Sequence, residues 1–187
     1  MTFLLISFFA ELECAYYGPK AQALKQKCSE FSVDCVIEEI PSRGYMKNCL
    51  QKPQYILDKF DNANKSVLWV DVDTTILSHP GSFDVASCDV VAAAGKHWPI
   101  LASPLLFHKT EPARIFLGKW ASLCNNAMDS EGINLDHDIL CNNLIINNWY
   151  EYNGISIALS EIDHIFKIGN SSSSEKRKIM SFINKQI

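Results

Sequence analysis

One stretch constrains everything around it: Ser66-Val67-Leu68-Trp69-Val70-Asp71-Val72-Asp73, continued by Thr74-Thr75 and closed at Pro80. An apolar run rich in β-branched and aromatic residues predicts a strand buried on both faces, which belongs in the middle of a layered α/β sheet. That strand runs directly into two carboxylates at i and i+2. Side chains alternate along a strand, so Asp71 and Asp73 are expected on one side, with Val72 turned back into the protein. The carboxyl ends of central strands are where open α/β sheets hold ligands.

Like charges held this close repel unless a cation sits beside them. A hard divalent ion, Mn²⁺ or Mg²⁺, accepts carboxylate oxygens and leaves positions for phosphates and water. The plainer alternative has one aspartate capping the following turn and the other solvated.

The chain has 187 residues, enough for one domain with a full core. Its 48% hydrophobic and 20% charged content is that of a globular chain. A net charge of -4 supplies no electrostatic footprint for nucleic acid, so an anionic ligand needs a local site. The seven cysteines (14, 28, 35, 49, 88, 124, 141) include no CxxC pair and fall largely in apolar stretches, which predicts buried free thiols. The opening Thr2–Ala10 segment is apolar but too short to span a bilayer. It lacks a basic leader and is followed by Glu11 and Glu13, so it reads as a first strand. The expected chain is cytoplasmic, with no transmembrane segment.

In order, Phe3 to Ala10 is predicted as a strand, and Gly18-Pro19 opens a helix with Ala21, Leu24, Cys28 and Phe31 on its buried face. Cys35 to Ile40 is a second strand, followed by a loop carrying Arg43-Gly44-Tyr45. Lys52-Pro53 starts a second helix that leads to the central strand. Asp89 to Ala93 and Ile100 to Phe107 read as further strands, and Thr110 caps a helix carrying Phe116, Trp120 and Leu123. A polar loop over 125–134 follows. Asp136-His137-Asp138 opens another helix, and Ile155 to Leu159 is a last strand. Residues 1–169 are expected to form one domain. Residues 170–187 read as a Ser-rich hinge and a short basic amphipathic helix that packs, links to another domain or touches a membrane surface.

This ordered series resembles the nucleotide-diphospho-sugar glycosyltransferases of GT-A fold. It comprises the βαβ opening, Gly44-Tyr45, the Lys52-Pro53 helix, Val70-Asp71-Val72-Asp73, Ser103 on a later strand, Trp120 in a helix, and Asp136-His137 where such enzymes often carry Asp-Gln. The compact length also resembles the minimal capsid-glycosylating transferase domains of large algal viruses. The resemblance implies a single-domain α/β fold with a mostly parallel central sheet flanked by helices. It implies transfer of a hexosyl group from a nucleoside-diphosphate sugar, UDP- or GDP-linked, to a glycan or glycoprotein acceptor.

Carried over residue by residue, it implies that Asp73 ligates Mn²⁺ or Mg²⁺ while Asp71 contacts the ribose or the metal shell. His164 is then a candidate third ligand, against a plain hydrogen-bonded histidine. Phe9, Tyr16 and Tyr17 would hold the base. Arg43 and Lys52 would lie near the donor, with Ser103 beside them, although a loop arginine such as Arg43 is also explained by solvation alone. Asp136 is the acceptor-side candidate, as general base or positioning group, against a plain helix N-cap. Two departures stand out: Ser103-Pro104-Leu105 replaces a Ser-Gly-Thr type strand, and His137 replaces the usual Gln.

Asp71-Val72-Asp73-Thr74-Thr75 also satisfies the Asp-x-Asp-x-Thr signature of haloacid-dehalogenase-like phosphatases, with Asp71 as nucleophile and Lys96 or Lys109 as the required downstream lysine. No later Gly-Asp-x-x-x-Asp accompanies it, and about seventy residues precede the motif where such enzymes usually begin with it. A non-catalytic nucleotide-sugar binding domain is the third reading. A nucleotidyltransferase is disfavoured, since no Gly-rich phosphate loop follows the first strand.

Overall fold

The computed structural model describes residues 3–11, 16–85, 87–129 and 135–169. The predicted terminal hinge and helix over 170–187, Leu12 to Ala15 of the first loop, and Cys14 lie outside the described residues. Strand β1 (Phe3–Phe9), helix α1 (Tyr17–Glu30) and strand β2 (Cys35–Glu39) form the expected βαβ opening. Two helices then follow, α2 (Tyr45–Leu50) and α3 (Lys52–Asn62), before β3 (Ser66–Trp69). The loop expected around Tyr45 is therefore helical from that residue onward, entered through Gly44 at φ 84, a conformation glycine adopts without strain.

Strand β3 ends at Trp69, two residues short of the acids. Asp71 to Thr74 form a turn closed by the Thr74 N–H on the Asp71 carbonyl at 2.9 Å. This corrects the expectation that alternation along a strand aims Asp71 and Asp73. The turn places them, and Val72 is buried beneath it. The two-residue strand β4 (Thr75–Ile76) and a 3₁₀ turn at Pro80–Phe83 come next.

Strand β5 (Val90–Ala93) precedes β6 (Leu105–Phe107), much shorter than the strand expected from Ile100. Its approach is taken up by loop bonds: the Leu101 N–H donates to the Ala93 carbonyl, and the Ile100 carbonyl meets the His137 ring. Helix α4 (Glu111–Ala127) starts at Thr110, whose hydroxyl accepts the Ala113 N–H as a capping threonine should. Helix α5 (Asp136–Ile139) continues into a π-helical turn at Leu140–Ile145. Helix α6 (Trp149–Tyr152), β7 (Ile157–Ser160) and β8 (Phe166–Lys167) complete the described fold.

The central sheet has the order β2-β1-β3-β6-β5-β7, and β4 pairs with β8 in a separate two-stranded ribbon. The pairings β1–β2, β1–β3 and β5–β7 are parallel, whereas β6 runs antiparallel to both its neighbours. The carboxyl ends of β1, β3 and β5 therefore share one edge. Period-two alternation divides the core. Ile6, Val67, Trp69, Ala92 and Leu105 face the layer of α3, α4 and α5, while Leu5, Leu68, Val70, Val91 and Leu106 face α1 and the β4–β8 ribbon. The six cysteines among the described residues are free thiols. No helix among the described residues is long and apolar enough to cross a membrane.

Candidate functional site

The acids at the end of β3 are supported from below. The Asp71 N–H donates to the Ser103 hydroxyl at 2.8 Å, and Ser103 is only 5% exposed. Ser103 thus fixes the backbone of the first acid. The Trp69 indole N–H donates to Asp71 Oδ1 at 3.1 Å. Lys52 Nζ lies 3.2 Å from that same oxygen and 5.6 Å above the Trp69 ring.

The same ammonium lies 2.8 Å from Asp136 Oδ2, so Lys52 bridges two carboxylates that are 65 positions apart in sequence. Helix α3 brings the lysine to this place because it starts at Lys52 with Pro53 in its first turn, where the missing N–H costs nothing. Burial alone would depress the Lys52 ammonium, but the carboxylates of Asp136 and then Asp71 outweigh it and hold its pKa above the usual lysine range. Asp136 is itself sealed, at 4% exposure. It is not the N-cap of α5. That position is Leu135, whose N–H is taken by Asp138 Oδ2 at 3.0 Å, while the Trp120 indole N–H donates to the Asp136 carbonyl at 3.0 Å.

Three further groups close around this cluster, two of which the sequence reading missed. Burial, then the Asp136 charge, pushes the Cys49 thiol up to about 12. Burial and the neighbouring Cys49 hold the Tyr45 phenol above its ordinary range. Burial and the Asp73 charge do the same for Tyr17. Tyr45 and Cys49 were not singled out as site residues because α2 was not foreseen: no capping side chain or apolar periodicity marks so short a helix.

Tyr17 meets Tyr16 edge to face at 4.9 Å, and Lys20 Nζ lies 4.8 Å from the Tyr16 ring centroid. The start of α1 is tied down by Glu11, whose carboxylate accepts the Tyr17 N–H at 3.0 Å and the Gly18 N–H at 2.5 Å. Phe9 packs half-buried on the α1 side of the sheet, and its carbonyl accepts the Ile40 N–H at 2.8 Å. Arg43 lies elsewhere. It is exposed and lines a cavity of about 260 Å³ with Gln51, Gln54, Tyr55 and Asp58, to which none of Asp71, Asp73 and Asp136 contributes.

Late chain returns to the second acid. Thr75 and Ile76 pair antiparallel with Lys167 and Phe166, and the Ser78 hydroxyl donates to the His164 carbonyl at 2.8 Å. Gly169 then sits directly against Asp73, where an added Cβ would fall 2.1 Å from Oδ2. The His164 side chain is exposed, and no group of three His, Cys, Asp or Glu side chains gathers among the described residues. Asp71, Asp73 and His164 are therefore not drawn into a three-ligand cluster in this conformation. The donor set that is present consists of two carboxylates on one turn. Mg²⁺ and Mn²⁺ suit such a set when phosphate and water complete the shell, so Asp71 and Asp73 fit a divalent ion.

The lysines required by the phosphatase reading are placed badly for it. Lys96 is exposed on a loop, and Lys109 donates to the Phe60 carbonyl with its ammonium 4.2 Å from the Phe60 ring centroid. The lysine beside Asp71 is Lys52, which precedes the motif.

No protein-family model matches the sequence, and no curated protein matches it. Solved structures do. A glycosyltransferase involved in the glycosylation of the major capsid of PBCV-1 aligns over 97% of this chain and 100% of its own, with a TM-score of 0.66 at 14% identity. The apo-form glycosyltransferase GlyE of Streptococcus pneumoniae TIGR4 aligns over 84% of this chain and 45% of its own, with a TM-score of 0.47 at 11% identity, too slight a likeness to argue from. The first likeness is one of architecture, end to end: this chain has the mixed α/β fold of a glycosyltransferase, as the ordered motifs led us to expect.

Proposed function

We propose that the chain transfers a sugar, of hexosyl type, from a UDP- or GDP-linked donor to a glycan or glycoprotein acceptor, with Mn²⁺ or Mg²⁺ as cofactor. The observation that carries this reading is the Lys52 ammonium between Asp71 and Asp136, at the carboxyl edge of a sheet with this fold. It sets a fixed array of two carboxylates and one cation where a diphosphate and two sugars would meet. Asp73 with Asp71 would hold the metal, and His164 is the further candidate ligand. The ion supplies charge neutralisation for the leaving diphosphate.

The protein's own groups divide the remaining work. Tyr16 and Tyr17 offer aromatic surface for the base, with Tyr17 and Phe9 packed against one apolar cluster. Ser103 and Trp69 hold Asp71 in a single orientation, so it does not have to be ordered when donor arrives. Asp136 acts by positioning. A carboxylate sealed by its own lysine holds the Lys52 ammonium in place and shapes the wall between donor and acceptor. Arg43 is exposed and would meet donor only from the outer rim.

The test is turnover. Purified protein is incubated with UDP- and GDP-sugars in Mn²⁺ or Mg²⁺, and release of nucleoside diphosphate is measured with and without EDTA. Metal-dependent release that Asp73→Ala abolishes supports the reading. Tight donor binding without release would instead identify a binding domain.

A further inference from the structure

Asp136 and His137 are consecutive, yet they meet different partners. Asp136 is sealed against Lys52, while the His137 ring is half-buried and packs against Trp98 with ring centroids 5.2 Å apart and planes tilted by 51°. Trp98 belongs to the loop between β5 and β6, at the same sheet edge as the acids. That loop is held tightly. The Leu101 N–H donates to the Ala93 carbonyl at 2.8 Å, and Gly95 approaches so closely that an added Cβ would lie 2.6 Å from the Trp98 carbonyl oxygen. Trp98 is half-buried as well. Two rings thus pack together at the residue that follows Asp136, each keeping part of its surface open.

The tautomer of His137 follows from its partner. His137 Nε2 lies 2.9 Å from the Ile100 carbonyl oxygen, which can only accept, so Nε2 carries the proton. In the neutral ring Nδ1 is then left with a lone pair, and a hydroxyl is the group that would donate to it. A flat indole face beside one fixed acceptor suits a pyranose, whose C–H face is apolar and whose rim carries hydroxyls.

We propose that Trp98 and His137 form the subsite for the acceptor sugar, with the indole against a pyranose face and His137 Nδ1 accepting a hydrogen bond from one sugar hydroxyl. This rests on the transferase reading above and deepens it by naming the acceptor's seat. The imidazole at position 137 then fixes the acceptor at Nδ1, across the ring from the nitrogen bonded to Ile100, whereas a carboxamide donating to Ile100 would present its oxygen from a different place.

The experiment is an NMR titration of the full chain with methyl α- and β-pyranosides of glucose, galactose and rhamnose, following the backbone amide signals around positions 98 and 137. UDP with Mn²⁺ is titrated separately. The wild type should bind at least one glycoside. Trp98→Ala and His137→Phe should each weaken that binding by about tenfold, the effect of one lost contact of this kind, and leave UDP–Mn²⁺ affinity within about twofold. His137→Phe keeps a ring against Trp98 and has no acceptor, so it decides the matter even if Trp98→Ala fails to fold. Unchanged glycoside affinity in His137→Phe, or no glycoside binding to the wild type, would overturn the subsite. Failure of the wild type to bind UDP with Mn²⁺ would instead count against the transferase reading, and comes from the separate titration.

Discussion

Lys52 Nζ lies 2.8 Å from Asp136 Oδ2 with both side chains sealed from water, and this buried pair ties the helix before the central strand to the helix that follows α4. Removing one partner of such a pair strands the other charge. Lys52→Met should therefore cost about 3–5 kcal/mol in urea unfolding, by the usual penalty for an uncompensated buried charge. Adding Asp136→Asn should recover a large part of it. Strictly additive losses would show that the two do not interact.

Two glycines give opposite predictions. Gly169→Ala forces a Cβ to within 2.1 Å of Asp73 Oδ2, so the acid or the backbone at position 169 must move. Metal-dependent UDP binding should weaken by about tenfold or more, on the scale of one displaced charged contact. Gly118→Ala, inside α4 with nothing within 4 Å of the added methyl, should raise stability by about 0.5–1 kcal/mol. Isothermal titration and thermal unfolding of the two variants, side by side, check both.

The fold was legible where apolar runs were long. Phe3–Phe9 and Ser66–Trp69 were found because strands buried on both faces leave an uninterrupted apolar signal, and the edge strand Cys35–Glu39 because Cys35-Val36-Ile37 precedes the break at Pro41. The two-residue strands Thr75–Ile76 and Phe166–Lys167 were invisible, since pairing between segments so short is decided by tertiary contact. That omission hid the return of Gly169 to Asp73. Asp71 and Asp73 were recognisable as a pair, but the turn that orients them was not, because Val70 and Val72 read as more strand. Lys52 was picked out as lying near the donor. Its bridge to Asp136 could not be, since spacing along the chain says nothing about where a long flexible side chain ends.

Cys49 links the site to pH. The folded state raises its thiol from an ordinary 9.0 to about 12, chiefly by burial, so it keeps the proton more tightly than the unfolded chain does. Its contribution is complete below about pH 9 and is lost as pH rises through about 12. Wild-type stability should fall across this window, and Cys49→Ala should reduce the slope by up to about 1.4 kcal/mol per pH unit, the weight of one proton. Urea midpoints between pH 8 and 11 read it directly. An unchanged slope would remove Cys49 from the account.

Thr110 secures two elements at once. Its hydroxyl accepts the Ala113 N–H at 3.3 Å and donates to Asp89 Oδ1 at 2.7 Å, while Asp89 also accepts from the Ser156 N–H and hydroxyl at 2.9 and 2.6 Å. Thr110→Ala should cost about 1–2 kcal/mol, the upper range for a lost cap. Burial would raise the Asp89 carboxyl, but the bonds from Ser156 and Thr110 outweigh it and hold it below its ordinary 3.8. That stabilisation is present above pH 3.8 and is lost as pH falls further, so Asp89→Asn should flatten the acid limb of the stability curve.

Asp73 is the proposed seat of a divalent ion that holds the donor's diphosphate. Calorimetric titration of UDP into wild type and Asp73→Ala, each with Mn²⁺ and with EDTA, measures this most directly. The expected result is wild-type binding that requires Mn²⁺ and a variant in which the metal no longer matters. Equal, metal-responsive affinity in the two proteins would contradict it.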